Sequence, residues 1–307
     1  MNELNINDYN LWTALVTPLE QDGGIDFTAL ADLVAAQQNA NNGILLLGST
    51  GEGLALDGEE HIQVVEQVLA MNPSVPVMVA VGGYDLACQT RWIERCNQLA
   101  VAGYLLATPM YSKPGPQGQA LWFSQLLDAA SHPCMIYNVP SRSGINLDVA
   151  TVGQLSSHEN FWALKEASGD LDLFAQYVAA CPQVLVMSGD DGLFPAQAGV
   201  GAQGLVSVCS NVWPQATAAY VDYHLSHRNE EISSSWQSAL QALGQGAANP
   251  IPVKVLMHQL GQIATPLLRA PLTHLELQSV DHLLTADGAV NQWLKGHNQI
   301  FSTVNAA

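Results

Sequence analysis

The sequence predicts an α/β protein: a closed (β/α)8 TIM barrel with a C-terminal helical extension. Three features carry that expectation. Short apolar runs alternate with longer amphipathic stretches eight times within the first 227 residues. Most of the short runs are nearly continuously apolar, the pattern of strands buried on both faces. Beyond residue 227 the alternation stops and helical patterns follow with no strands between them. A doubly wound open sheet shares the alternation but needs a switch in strand order, which a sequence does not display.

The first unit pairs a strand over 11–19 with a helix over 26–40, in which Ala29, Leu30, Leu33 and Val34 share one face. The next three pair 43–50 with 59–71, 75–83 with 85–100, and 103–110 with 117–130. The fifth and sixth pair 133–140 with 147–156 and 161–169 with 171–180. The last two pair 184–191 with 194–200 and 204–211 with 214–227. No long break separates the units, so residues 1–227 are expected to form the barrel. Residues 228–307 are the expected helical region, with helices over 230–246, 253–263 and 290–303. Asn249-Pro250-Ile251-Pro252 reads as a rigid break inside it.

Composition narrows the function classes. Hydrophobic residues make up 48% of 307, enough for a large core. Nine Lys and Arg face 27 Asp and Glu, a formal charge of −18. A nucleic-acid footprint or an attraction to anionic lipid needs basic clusters, so neither partner is expected. Five cysteines, none spaced C-x-x-C, argue against a disulfide framework or a Cys-rich zinc site. The first residues show no basic, apolar leader pattern, and the apolar runs are strand-length. A soluble protein of a reducing, cytoplasmic compartment is the expectation.

A barrel enzyme places its chemistry at the C-terminal ends of its strands. The second strand runs into Gly48-Ser49-Thr50-Gly51-Glu52-Gly53, a loop able to hold a carboxylate or phosphate on N–H and hydroxyl groups. Taken alone it reads equally as a plain turn. The fourth strand ends Thr108-Pro109-Met110-Tyr111. The fifth ends in Tyr137, followed by Arg142 in a small-residue loop. That guanidinium suits a substrate carboxylate; among 27 acids, an ordinary surface ion pair is the competing reading. The sixth strand, Phe161-Trp162-Ala163-Leu164-Lys165-Glu166, buries one of only four lysines. A buried ammonium is costly, so such a lysine lowers its pKa and becomes a nucleophile toward carbonyls. Snorkelling to solvent is the alternative. Lys113 falls in a solvated loop, and Lys254 and Lys295 in the helical region, so none of the three competes with Lys165. Ser188-Gly189-Asp190-Asp191 closes the seventh strand, where the two Asp read as helix caps, and Val206 lies on the eighth. No H-E-x-x-H motif and no G-x-S-x-G elbow is present, so no metal and no serine hydrolase is expected.

Four ordered motifs then carry a resemblance: Gly48-Ser49-Thr50-Gly51-Glu52, Tyr137-Asn138-Val139-Pro140-Ser141-Arg142, Lys165-Glu166-Ala167-Ser168-Gly169-Asp170 and Asn249-Pro250-Ile251-Pro252-Val253-Lys254. Together, from Leu11 to about Pro271, the chain resembles the dihydrodipicolinate synthase/N-acetylneuraminate lyase family. The resemblance implies a Schiff base between Lys165 and pyruvate, with no cofactor. It implies proton relay by Tyr137, Thr50 and Tyr111, with Tyr111 supplied across a subunit interface, hence a dimer or tetramer. Ser49 and Thr50 would hold the pyruvate carboxylate, with Gly189 and Val206 as further substrate contacts. Arg142 implies the branch that condenses pyruvate with L-aspartate 4-semialdehyde; Ser49 leans toward the N-acetylneuraminate lyases or other sugar-acid aldolases. A Ser-for-Thr exchange keeps the hydroxyl, whereas an acceptor carboxylate without its guanidinium would be left unpaired, so Arg142 outweighs Ser49. A barrel that binds a small acid without turnover is the remaining class, and it would form no Schiff base.

The resemblance also bears on regulation. Gly58, Gln89 and Met110 stand where lysine-inhibited members often carry His, Glu and Tyr, while His61 is kept. A cationic effector loses a carboxylate partner and an aromatic wall. Inhibition by lysine is therefore expected to be weak or absent, and micromolar inhibition in a rate assay would overturn this expectation.

Overall fold

A computed structural model describes residues 4–304 of the chain. Eight parallel strands form a closed barrel in sequence order: β1 (Leu11–Ala14), β2 (Gly43–Leu46), β3 (Val77–Val81), β4 (Gly103–Ala107), β5 (Cys134–Asn138), β6 (Phe161–Glu166), β7 (Leu185–Ser188) and β8 (Leu205–Ser207). Closure is direct, with Trp12 of β1 in register with Val206 of β8. The crossover helices are α1 (Phe27–Asn39), α2 (Gly58–Ala70), α3 (Leu86–Cys96), α4 (Pro116–Ala129), a split pair α5 (Pro140–Ser143) and α6 (Val149–Leu155), α7 (Leu171–Ala180), α8 (Phe194–Gly199) and α9 (Pro214–Ser226). The C-terminal helices are α10 (Ser234–Gly244), α11 (Ile251–Gln259) and α12 (Asp281–Val304).

The reasons are local. Aspartates cap α1, α2, α3, α6 and α7, each accepting a first-turn N–H. Asp57 and Glu60 form a full capping box on α2. Proline opens α4, α5, α9 and α11, where its missing N–H is not needed. Gly43 permits close packing in the barrel wall: a Cβ there would lie 2.7 Å from the Trp12 ring.

The strands are shorter than the apolar runs that predict them. The expected strand over 43–50 stops at Leu46 because Leu47 takes a left-handed conformation (φ 61°) and turns the chain into the mouth loop. The expected rigid break at 249–252 is shorter too, since Ile251 and Pro252 already form the first turn of α11. The last helix begins at Asp281, nine residues before the expected 290. Its side chains join those of α9 and α10 in one aromatic cluster: Tyr220 and Trp236 have ring centroids 4.5 Å apart, and Trp236 meets Trp293 edge-on at 5.6 Å. The core is therefore continuous from the barrel into the C-terminal helices.

Candidate active site

The parallel ladder brings Tyr137 on β5 opposite Lys165 on β6, with Ala107 on β4 opposite Tyr137. Lys165 is 5% exposed, and its Nζ stands 4.3 Å from the centre of the Tyr137 ring. Burial lowers the Lys165 pKa to about 7, the Arg142 charge pushes the same way, and Asp191 opposes both. Strand alternation turns the next residue, Glu166, to the other side, where Asn138 Nδ2 and the Ser168 N–H donate to its carboxylate at 2.7 and 2.6 Å. Burial raises the Tyr137 pKa to about 12, while Arg142 and a hydrogen bond with Ser49 draw it back. The Tyr137 hydroxyl thus stays protonated at neutral pH.

A cavity of about 600 Å³ opens at the C-terminal ends of the strands. Ser49, Glu52, Tyr137 and Arg142 line it, and it extends to His61 and Trp92. Tyr137 belongs to both environments: it lines the cavity, and its ring faces Lys165. Arg142 sits on the four-residue α5, with Pro140 at its start and Gly144 closing it at φ 79°. Its Nη2 donates to the Asn249 carbonyl at 3.1 Å, and among the described residues it joins no ion pair. The competing reading of Arg142 as a surface ion pair is thereby set aside.

Other expected residues fall elsewhere. Thr50 is 3% exposed, and its Oγ1 accepts a hydrogen bond from Asn249 Nδ2 at 3.0 Å. The Tyr137 hydroxyl interacts with Ser49 rather than with Thr50, and a relay through Thr50 belongs to the proposal below. The cause is the loop's turn, which aims successive side chains in different directions. Tyr111 is 92% exposed at φ 68° and does not line the cavity of its own chain. Gly189 follows β7, its N–H donating to the Glu166 carbonyl at 2.7 Å. Val206 is buried on β8. Asp190 closes the turn before α8, accepting from the Gly192 and Leu193 N–H groups, rather than capping the helix itself. Asp191 does not cap: it is buried, taking the Ser207 hydroxyl and the Val208 N–H. No cluster of three or more metal-binding side chains occurs among the described residues.

One interaction escaped the sequence reading. Glu52 holds a left-handed conformation (φ 57°) in the mouth loop. Its carboxylate accepts Lys254 Nζ at 2.7 Å and the Arg269 N–H at 2.7 Å. Lys254 is wholly buried and also donates to the Thr17 carbonyl at 2.9 Å. Burial lowers its pKa, and the Glu52 carboxylate opposes that and keeps it charged. The signal was available: a rare lysine five residues after Asn249 in an apolar helix start.

The model of the dihydrodipicolinate synthetase family matches residues 8–286. A 4-hydroxy-tetrahydrodipicolinate synthase of Francisella tularensis subsp. novicida is 48% identical over 291 residues, covering 94% of this chain and 98% of that protein. One from Wolbachia pipientis wMel is 44% identical, covering 92% and 96%. Among solved structures, the 4-hydroxy-tetrahydrodipicolinate synthase of Methylacidiphilum fumariolicum SolV superposes with a TM-score of 0.86 at 30% identity, covering 95% and 98%. The dihydrodipicolinate synthase of Aquifex aeolicus gives 0.85 at 28%, covering 93% and 98%.

The packing around Lys165 yields a test. A Cβ on Gly189 would lie 2.8 Å from both Lys165 Cε and Ala167 Cβ. Gly189→Ala is expected to displace the Lys165 side chain and to cost about 1–3 kcal/mol of stability. Chemical denaturation and the rate of borohydride trapping with pyruvate measure the two effects. Wild-type values for both would show that the lysine has slack.

Proposed function

The chain belongs to the dihydrodipicolinate synthetase family, and from that premise we propose that it is a Schiff-base lyase condensing pyruvate with L-aspartate 4-semialdehyde to 4-hydroxy-tetrahydrodipicolinate, a precursor of diaminopimelate and lysine. The observation that carries the reading is Lys165: a desolvated amine against the Tyr137 ring, with no hydrogen-bonded carboxylate among the described residues to hold its proton. A lysine so placed reaches its neutral, nucleophilic form near neutral pH.

Neutral Lys165 attacks the pyruvate ketone. Tyr137, protonated and bonded to Ser49, passes protons as the carbinolamine loses water to give the imine. Loss of a methyl proton gives the enamine, whose carbon attacks the semialdehyde aldehyde while Arg142 holds that substrate's carboxylate. The substrate's amine then closes on the imine carbon and expels Lys165. The lysine itself serves as electron sink, so the proposed chemistry draws on no cofactor. Ser49 and Thr50 are proposed to hold the pyruvate carboxylate, with Gly189 and Val206 shaping the floor of the site. Exposure of Tyr111 supports the further proposal that it completes the relay through Thr50 from a neighbouring subunit, in a dimer or tetramer. No helix among the described residues is long and apolar enough to cross a membrane; a cytoplasmic setting belongs to the proposal.

Two outcomes are expected. Borohydride added with pyruvate should fix the adduct on Lys165, and the trapping rate should rise with pH through a midpoint near 7, because only the neutral amine attacks. A pH-independent rate, or an adduct on another residue, would defeat the assignment. Arg142→Ala should raise the KM for the semialdehyde roughly 10- to 100-fold, the range for a hydrogen bond to a charged group. It should also move the trapping midpoint upward, since the Arg142 charge holds the Lys165 pKa down. Turnover with N-acetylmannosamine in place of the semialdehyde would transfer the chain to the sugar-acid branch.

A further inference from the structure

The Thr50 hydroxyl is aimed by a residue 199 positions away. Asn249 Nδ2 donates to Thr50 Oγ1 at 3.0 Å. A threonine hydroxyl has one proton and two lone pairs. With a lone pair taken by an amide N–H, the proton must leave in another direction, and among the described residues nothing accepts it. That is the state a carboxylate-binding hydroxyl requires, since a hydroxyl turned the other way presents a lone pair to the anion.

Asn249 is itself fixed. The residues after it, Pro250, Ile251 and Pro252, are buried at the start of α11. Lys254, five residues on, pairs with Glu52, two residues after Thr50. The segments 249–254 and 50–52 are thus cross-linked twice, by 249 to 50 and by 254 to 52. The other half of the site touches Asn249 differently: Arg142 Nη2 donates to its main-chain oxygen, which no side-chain substitution removes.

We propose that Asn249 is a positioning residue whose side-chain amide locks the Thr50 hydroxyl as a donor to the carboxylate of the keto acid substrate. The inference rests on the pyruvate reading above. It divides the residue's influence: the side chain serves the keto acid, and the main chain serves the acceptor through Arg142.

The test is steady-state kinetics on the full chain, each substrate varied separately, for Asn249→Ala and Asn249→Leu. Both variants are also made in a Thr50→Val background, and Asn249→Leu keeps most of the volume should the alanine variant fold poorly. Both single variants should raise the KM for pyruvate roughly three- to tenfold, the range for one neutral hydrogen bond. The KM for the semialdehyde should stay within about twofold, because its guanidinium partner keeps a main-chain acceptor. In the Thr50→Val background, changing Asn249 should alter the pyruvate KM by less than about twofold, the non-additivity of two residues acting as a unit. An unchanged pyruvate KM, an equal rise for both substrates, or a full further loss in the Thr50→Val background would each overturn the proposal. If the wild-type chain forms no borohydride-trappable imine with pyruvate, the parent reading falls and this one with it. If the imine forms on Lys165 and the variants behave as wild type, this one falls alone.

Discussion

Closure of the barrel is the constraint on which the site depends. Eight parallel strands joined without an edge put every strand's C-terminal end on one rim, so residues 49, 137, 142 and 165 converge although 116 positions separate the first from the last. The ladder fixes pairs as well as neighbourhoods: Tyr137 lies in register with Lys165, and Glu166 with Ser188. A slip of one residue in β6 would turn Lys165 out toward the helices and bring Glu166 inward. The carboxylate would then face the cavity and the amine would be lost. The hydrogen bonds from Asn138 and Ser168 to Glu166 on the outer side oppose that slip.

Two buried lysines show how a partner decides chemistry at similar burial. Lys165 and Lys254 are 5% and 0% exposed, and burial lowers the pKa of each. Lys254 meets a carboxylate at 2.7 Å and a carbonyl at 2.9 Å, so its proton is held and the residue becomes a strut. Removing one partner of a buried pair of this kind costs about 3–5 kcal/mol, because a lone charge is left behind. Lys165 has no carboxylate within hydrogen-bond reach among the described residues, and burial together with the Arg142 charge outweighs the opposing Asp191, so its proton is easily lost. The strut and the amine are linked through the mouth loop, since Lys254 pins Glu52 three residues from Ser49, which bonds to Tyr137.

The architecture was legible because hydrophobic periodicity is a local property. Eight alternating units predict eight strands, and the ladder closes in that order. Lys165 stood out because an ammonium inside an apolar run contradicts its surroundings. What the sequence hid was direction. The apolar run through Leu47 continues past the last ladder bond, so the point where the backbone turns was invisible. Ser49 and Thr50 are adjacent and chemically alike, and only the loop's path sends one hydroxyl to Tyr137 and the other to Asn249. The pairing of Lys254 was missed and Asp191 was misread for a related reason. Each belongs to a pairing across more than fifteen residues, with Glu52 and with Ser207, that spacing along the chain does not encode.

The formal charge of −18 opposes two anionic substrates, and the arrangement at the rim resolves the conflict. Exposed charges farther than about 8 Å are largely screened at physiological salt, so the local field governs binding. Three basic groups of the chain serve structure: Lys254 pairs with Glu52, Arg269 with Glu60, and Arg228 donates to the carbonyls of Ala198 and Ala202. Arg142 is spared. Its partner is a main-chain carbonyl, which orients the guanidinium without cancelling its charge. Lys113 adds to this side of the rim, its side chain passing so close to Gly144 that a Cβ there would lie 3.0 Å from Lys113 Cε. An acidic partner for Arg142 would be easy to supply from 27 carboxylates, and it would neutralise a guanidinium that lines the cavity with Tyr137. A neutral acceptor at that point lets an acidic protein keep a cationic site.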